Sequence, residues 1–152
     1  MRQLHLIAHD IRSRENVGSL FRTCDALGVA KLWLAGYTPA PPDAKIAKVA
    51  LGAERSVLSE QAADIFALIE RLRSDGFSVY ALELTPNAMD LADFVPPEKI
   101  ALVLGTEVTG VPASVLEQCD GAVKITQHGI KESMNVSVAA GIAAWKILYG
   151  SV

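Results

Sequence analysis

What most restricts the fold of this chain is a regular alternation: short runs rich in Val, Ile and Leu are separated by longer stretches of helical periodicity. The runs are LHLIAHD (4–10), AKLWLAG (30–36), RSVLS (55–59), FSVYALEL (77–84), IALVLG (100–105) and AVKIT (122–126). Strands that are apolar almost throughout must be covered on both faces, and helices inserted between them supply that cover. The pattern predicts an α/β fold, a mostly parallel sheet with helices on both faces, the helices lying at 17–27, about 43–51, 61–74, 112–119 and 132–149. TPAPPD (38–43) and VPPEK (95–99) read as stiff loops, because consecutive prolines bar both helix and central strand. No repeat or long linker divides the chain, so residues 1–152 are expected to form one domain.

No window reaches the roughly eighteen apolar residues of a membrane span, and charge enters MRQLHLIAHDIRSREN too early for a secretory signal. A cytoplasmic protein with no membrane partner is expected. Cys24 and Cys119 stand far apart without His or Cys at ligand spacing, so neither a disulfide framework nor a metal site is expected; both read as small buried apolar residues. The net charge of −3 does not by itself announce a nucleic-acid partner, but the charge is unevenly spread. Residues 1–55 hold eight Lys/Arg against five Asp/Glu, residues 56–120 three against eleven, and residues 121–152 three against one. An anionic partner should therefore meet the two ends of the chain.

Open parallel sheets bind ligands beyond the carboxyl ends of their strands, which directs attention to the loops there. LVLGTEVTGVP (102–112) leaves a buried strand through Gly105, carries Thr106 and Glu107, turns at Gly110 and starts a helix with Pro112. KITQHGIKESMN (124–135) runs from a strand into the last helix, and VYALELTP (79–86) is a third exit without a distinctive polar group. In the first helix, a step of about 100° per residue puts Val17, Leu20, Phe21, Cys24 and Leu27 on one stripe, with Arg22 nearly opposite. In the last, Met134, Val136, Val138, Ile142, Trp145, Ile147 and Leu148 cover most of the circumference. Such a helix must be buried on two sides, and its Ala and Gly positions let another helix, a symmetric subunit for instance, come close. Ser133, Asn135 and Ser137 fall at its amino end, where capping accounts for Ser133 but not for all three.

NVGSLFRTCDALGV (16–29), LVLGTEVTGV (102–111) and ESMNVSVAAGI (132–142), in that order, resemble the three motifs of the SpoU (TrmH-like) RNA ribose 2′-O-methyltransferases of the SPOUT superfamily. KVALGAERSV (48–57) and GFSVYALEL (76–84) are similar to that group as well, so the likeness covers almost the whole chain. The third motif departs at Ile125-Thr126-Gln127, where the family usually reads Ile-Pro-Met. The resemblance implies a carboxyl-terminal trefoil knot, a homodimer through the helix at 132–149, and S-adenosylmethionine as cofactor. It implies a cofactor site formed by Leu82, Leu104, Gly105, Thr106, Glu107, Gly110, Ile125, Gln127, Met134 and Asn135. The resemblance also implies that Arg22 takes the catalytic position, assisted by Asn16, Glu107, Ser133 and Asn135. The substrate implied is structured RNA, tRNA before rRNA, and the basic residues expected to meet it are Arg12, Arg14, Lys45, Lys48, Arg55 and Lys131. Two alternatives stand beside this: a SPOUT enzyme that methylates a base, and a non-catalytic RNA-binding or assembly protein on the same fold.

Overall fold

A computed structural model describes residues 1–150; residues 151 and 152, counted within the domain on sequence grounds, lie outside it. The strands are β1 (Gln3–His9), β2 (Lys31–Ala35), β3 (Ser59–Ala62), β4 (Ser78–Leu82), β5 (Met89–Asp90), β6 (Lys99–Leu104) and β7 (Gly121–Lys124). The helices are α1 (Arg14–Leu27), α2 (Ala44–Ala50), α3 (Ala53–Ser56), α4 (Ile65–Ser74), α5 (Ala113–Leu116) and α6 (Val136–Tyr149). All strand pairs are parallel, in the order β3-β2-β1-β6-β4-β7-β5. The expected α/β layering is present. Leu4, Leu6 and Ala8 of β1 pack with α1, α2 and α6 on one face, while Ile7, Trp33, Val79 and Val103 pack with α4 and α5 on the other.

Several boundaries differ from the sequence expectation, each for a local reason. Helix α1 begins at Arg14 rather than 17, because the Ser13 hydroxyl caps the Asn16 amide at 3.1 Å. RSVLS does not form a strand: its first two residues end α3, only Val57 is buried, and the edge strand begins at its last residue, Ser59. Helix α4 starts at Ile65, where the Asp64 carboxylate accepts from the Phe66 amide at 2.9 Å. Helix α6 starts at Val136, and Asn135 rather than Ser133 is its cap, accepting from the amides of Ser137 (2.9 Å) and Val138 (3.4 Å). Gly18 lets α1 touch α2, since a Cβ there would lie 2.7 Å from Val49 Cβ.

One face of α6 is buried through Val136, Ala140, Ala143, Ala144, Ile147 and Leu148. The other presents Val138, Ile142, Trp145 and Tyr149, which are 43–55% exposed in the isolated chain. These four recur at helical spacing and make a continuous apolar stripe. Among the described residues no helix is long and apolar enough to cross a membrane.

At the amino edge of the sheet, His5 is buried, and its Nδ1 accepts a hydrogen bond from Trp33 Nε1 at 3.0 Å while its ring lies 4.3 Å from that of Phe77. Burial first, then the charges of Lys31 and Lys99, lowers its pKa from 6.5 to about 4. The unfolded chain therefore takes up this proton at a higher pH than the folded one. The resulting stability is complete above pH 6.5 and is lost as the pH falls towards 4. Urea unfolding at pH 7.5 and pH 5 should show a loss of about 2 kcal/mol in the wild type that is absent in His5→Gln; equal losses in both proteins would place the acid sensitivity elsewhere.

Candidate functional site

The strand order sets β1, β6, β4 and β7 side by side, so the loops leaving them meet at the carboxyl edge. The sheet grows outward in opposite directions from the β1–β6 pair, the place where open parallel sheets hold ligands. Two clefts lie there. The larger, about 420 Å³, opens between the exits of β1 and β6 and is lined by Asp10, Ile11, Arg12, Ser13, Asn16 and Val136. The other, about 340 Å³, lies among the exits of β6, β4 and β7 and the amino end of α6. Residues Thr106–Thr109 belong to both and form the partition between them.

That partition is a tight loop. The Gly110 amide donates to the Thr106 carbonyl at 2.9 Å and the Thr109 amide to Thr106 Oγ1 at 3.0 Å, with Gly110 at φ +68°. A side chain at Gly105 would put Cβ 2.3 Å from the Gly110 carbonyl carbon, so the loop can fold back on the strand only from glycine. Glu83 holds the far side: its carboxylate accepts from the Val111 amide at 2.6 Å and from the Leu84 amide at 3.0 Å. The β4 exit thus does carry a distinctive polar group, contrary to the sequence reading. The signal was the lone charge in FSVYALEL, set one residue beyond the buried strand.

Behind the partition, three side chains from distant parts of the chain meet. Asn16 Nδ2 donates to Glu107 Oε1 at 2.6 Å, and Asn135 Nδ2 lies 3.2 Å from Asn16 Oδ1 and 3.5 Å from Glu107 Oε1. Asn135 also caps α6 through its Oδ1, which leaves its amide hydrogens for this network. The entrance of α1, the loop after β6 and the entrance of α6 are thereby tied together. Further out, the Thr126 hydroxyl donates to Asp90 Oδ2, joining the β7 exit to β5.

Nine of the ten residues expected around a cofactor line the 340 Å³ cleft: Leu82, Leu104, Gly105, Thr106, Glu107, Gly110, Ile125, Gln127 and Met134. Asn135 does not line it and stands in the network at its wall. Ser133 lines the rim with Glu132 and Lys124. Arg22 lines neither cleft; it is exposed on α1 and makes no hydrogen bond or ion pair with the described residues. Of the basic residues, Arg12 faces the 420 Å³ cleft, Arg14 is bound to Asp43 at 2.8 Å, and Lys45, Lys48, Arg55 and Lys131 are exposed.

Among the described residues no group of three or more His, Cys, Asp or Glu could hold a metal ion. The cysteines offer no activated nucleophile, since burial pushes the Cys24 thiol up to about 12 and that of Cys119 to about 11. What the 340 Å³ cleft does offer is apolar walls from Leu82, Leu104, Ile125 and Met134, backbone groups of the 105–110 loop, and carboxylates from Glu83, Glu107 and Glu132 against one cation, Lys124. That combination suits a flat heterocycle attached to a positively charged group.

The SpoU rRNA Methylase family model matches residues 3–145. The chain is 31% identical over 146 residues to the tRNA (guanosine(18)-2′-O)-methyltransferase TARBP1 of Mus musculus, with 95% of this chain and 9% of that protein covered. It is 30% identical over 139 residues to the tRNA (guanosine(18)-2′-O)-methyltransferase of Thermus thermophilus, with 91% of this chain and 71% of that one covered. A solved structure described as "Structural insights into the 2-OH methylation of C/U34 on tRNA" superposes with a TM-score of 0.87 at 27% identity, over 98% of this chain and 96% of its own. The chain thus spans under a tenth of the mouse relative and nearly all of this structural one.

Proposed function

Because this chain belongs to the SpoU rRNA methylase family, we propose that it moves the methyl group of S-adenosylmethionine to a ribose 2′-hydroxyl of structured RNA, tRNA in preference to rRNA. The reading rests on one observation: residues that the resemblance assigns to the cofactor from four separate segments converge on one 340 Å³ cleft. The named activities of the mouse and Thermus relatives, both tRNA 2′-O-methyltransferases, support it. The same reading includes the trefoil knot, a homodimer through α6 and a cytoplasmic location. The exposed apolar residues Val138, Ile142 and Trp145 on one face of α6 support the dimer.

The cleft fits the cofactor chemically. Leu82, Leu104, Ile125 and Met134 would hold the adenine, the 105–110 backbone the ribose, and the carboxylates would face the amino and sulfonium charges. When bound, S-adenosylmethionine supplies an electrophilic methyl group. The protein has then to align the acceptor oxygen behind that methyl and lower the cost of the charge that develops there. A guanidinium remains protonated at any accessible pH, so Arg22 acts by orienting the neighbouring phosphate and stabilising the developing oxyanion, not as a base. The hydroxyl proton leaves to phosphate or water. The Asn16–Glu107–Asn135 network holds the wall of the site in place before substrate arrives, and Ser133 positions the nucleotide at the rim.

Calorimetric titration with S-adenosylmethionine, followed by transfer of a labelled methyl group to total tRNA and to rRNA and digestion to nucleosides, tests the reading. Micromolar binding and 2′-O-methylated nucleosides from tRNA are expected. Base-methylated products would overturn the ribose assignment, and absence of cofactor binding would overturn the enzyme.

A further inference from the structure

We infer that Tyr37 is a stacking platform for an unpaired base of the RNA, so that the substrate is read as a single-stranded loop and not as a duplex. The inference rests on the RNA reading above and specifies the substrate class. Tyr37 is 78% exposed, at the carboxyl edge of the sheet, in the turn that follows β2. An exposed aromatic is ordinary in itself. What sets this one apart is how firmly its backbone is held beside the 420 Å³ cleft.

The Tyr37 amide donates to Asp10 Oδ1 at 2.8 Å. The Thr38 hydroxyl, 4% exposed, donates to the Ala8 carbonyl at 2.8 Å and accepts from the Ile11 amide at 3.0 Å. Asp10 itself stands at φ +54°, a left-handed conformation that a non-glycine residue keeps only when its surroundings hold it there. Gly36, at φ +61°, leaves room for the Asp10 carboxylate, whose Oδ1 would lie 2.1 Å from any Cβ at that position. The turns after β1 and β2 are thus stapled into one unit by the Asp10 carboxylate and the Thr38 hydroxyl, and the phenol ring is left exposed beside it.

Asp10, Arg12 and Asn16 continue from that unit as the lining of the 420 Å³ cleft, which shares Thr106–Thr109 with the proposed cofactor cleft. Both carboxylates on this cleft already have partners, Asp10 in the Tyr37 amide and Glu107 in Asn16. Arg12 is exposed and unpaired among the described residues, so a phosphate can be met here. An exposed ring on a firmly held backbone, with Asp10 of the same unit and Arg12 both lining the neighbouring cleft, suits a splayed-out base: the ring stacks on the base while the cation takes the backbone. Duplex bases are already stacked on each other and present no free face to Tyr37.

The experiment compares binding of a short RNA hairpin with an unpaired loop, and of the same stem as an uninterrupted duplex, to wild type, Tyr37→Ala and Tyr37→Phe. Wild type should prefer the hairpin. Tyr37→Ala should weaken hairpin binding about five- to a hundredfold, leave duplex binding and S-adenosylmethionine affinity unchanged, and keep the same salt dependence, while Tyr37→Phe retains hairpin binding within about twofold. Hairpin affinity unchanged in Tyr37→Ala overturns the inference, as does an equal loss in Tyr37→Phe, which would mean a hydroxyl contact. So does a lower assembly mass of Tyr37→Ala in sedimentation, which would make the ring a subunit contact. Wild type that binds cofactor but neither RNA defeats the RNA reading and this inference with it.

Discussion

Replacing Arg22 by alanine is expected to lower kcat/KM for RNA methylation by about a thousandfold or more, with S-adenosylmethionine affinity within about twofold of wild type. The separation of the two effects follows from position. Arg22 lines neither cleft of its own chain, so its removal leaves the cofactor walls intact. Its guanidinium is exposed and free of partners among the described residues, available to a site presented to it from outside. Arg22→Lys should recover little of the loss, because an ammonium cannot engage phosphate and a developing oxyanion through one planar fork. A variant that keeps more than about a tenth of wild-type turnover on its RNA would remove Arg22 from the chemistry. Since Arg22 lies outside both clefts of its own chain, the proposed dimer would let it complete the partner subunit's site, a composite arrangement that the same series tests. Gly110→Val should disable the cofactor cleft, since the left-handed backbone at φ +68° strains any side chain there and its Cβ would displace the Glu83 carboxylate, 2.1 Å away. Coexpressed with Arg22→Ala, it should restore about a quarter of wild-type activity, because half of the dimers are mixed and one of their two sites is whole. No restoration would mean that arginine and cleft act within one chain.

The second large effect is expected on α6. Ile142→Glu with Trp145→Glu should convert the protein from dimer to monomer in sedimentation at micromolar concentration and lower methylation at least about a hundredfold. Both side chains are about half exposed in the isolated chain, so the change adds charge to the proposed interface without disturbing the buried face formed by Ala140, Ala143, Ala144 and Ile147. Circular dichroism should therefore be unchanged. A double variant that stays dimeric would move the interface off this helix, and one that is monomeric yet fully active would end the composite-site reading.

How far the chain could be read without its structure depends on the element. The alternation of apolar runs located β1, β2 and β6, because each is buried on both faces and is mostly apolar, and it located β4 and β7 through the shorter apolar runs around Val79 and Val123. The stripe of α1 was legible for a similar reason: Val17, Leu20, Phe21 and Cys24 are all buried. Strands β3 and β5 were not, since SEQA and MD lie at the sheet's two edges and are held by backbone pairing that leaves little mark on side-chain polarity. The RSVLS run misled because one buried residue, Val57, gave it the look of a strand. The start of α6 was placed too early because an Asn cap and a Ser cap look alike in sequence, and only the hydrogen bonds to Ser137 and Val138 separate them.

What the sequence by itself determined is the kind of fold, because periodicity and capping are local and survive in one dimension; the residues expected at the carboxyl edge followed from the motif resemblance. Tertiary structure alone decided which exits share a cleft: β4 and β6 are neighbours, so Glu83 reaches the Val111 amide from 28 residues away, and Asn16, Glu107 and Asn135 meet across up to 119. It also set Arg22 outside both clefts of its own chain. These outcomes depend on strand order and helix packing, which arise from contacts between distant segments and are encoded in no single stretch of the chain.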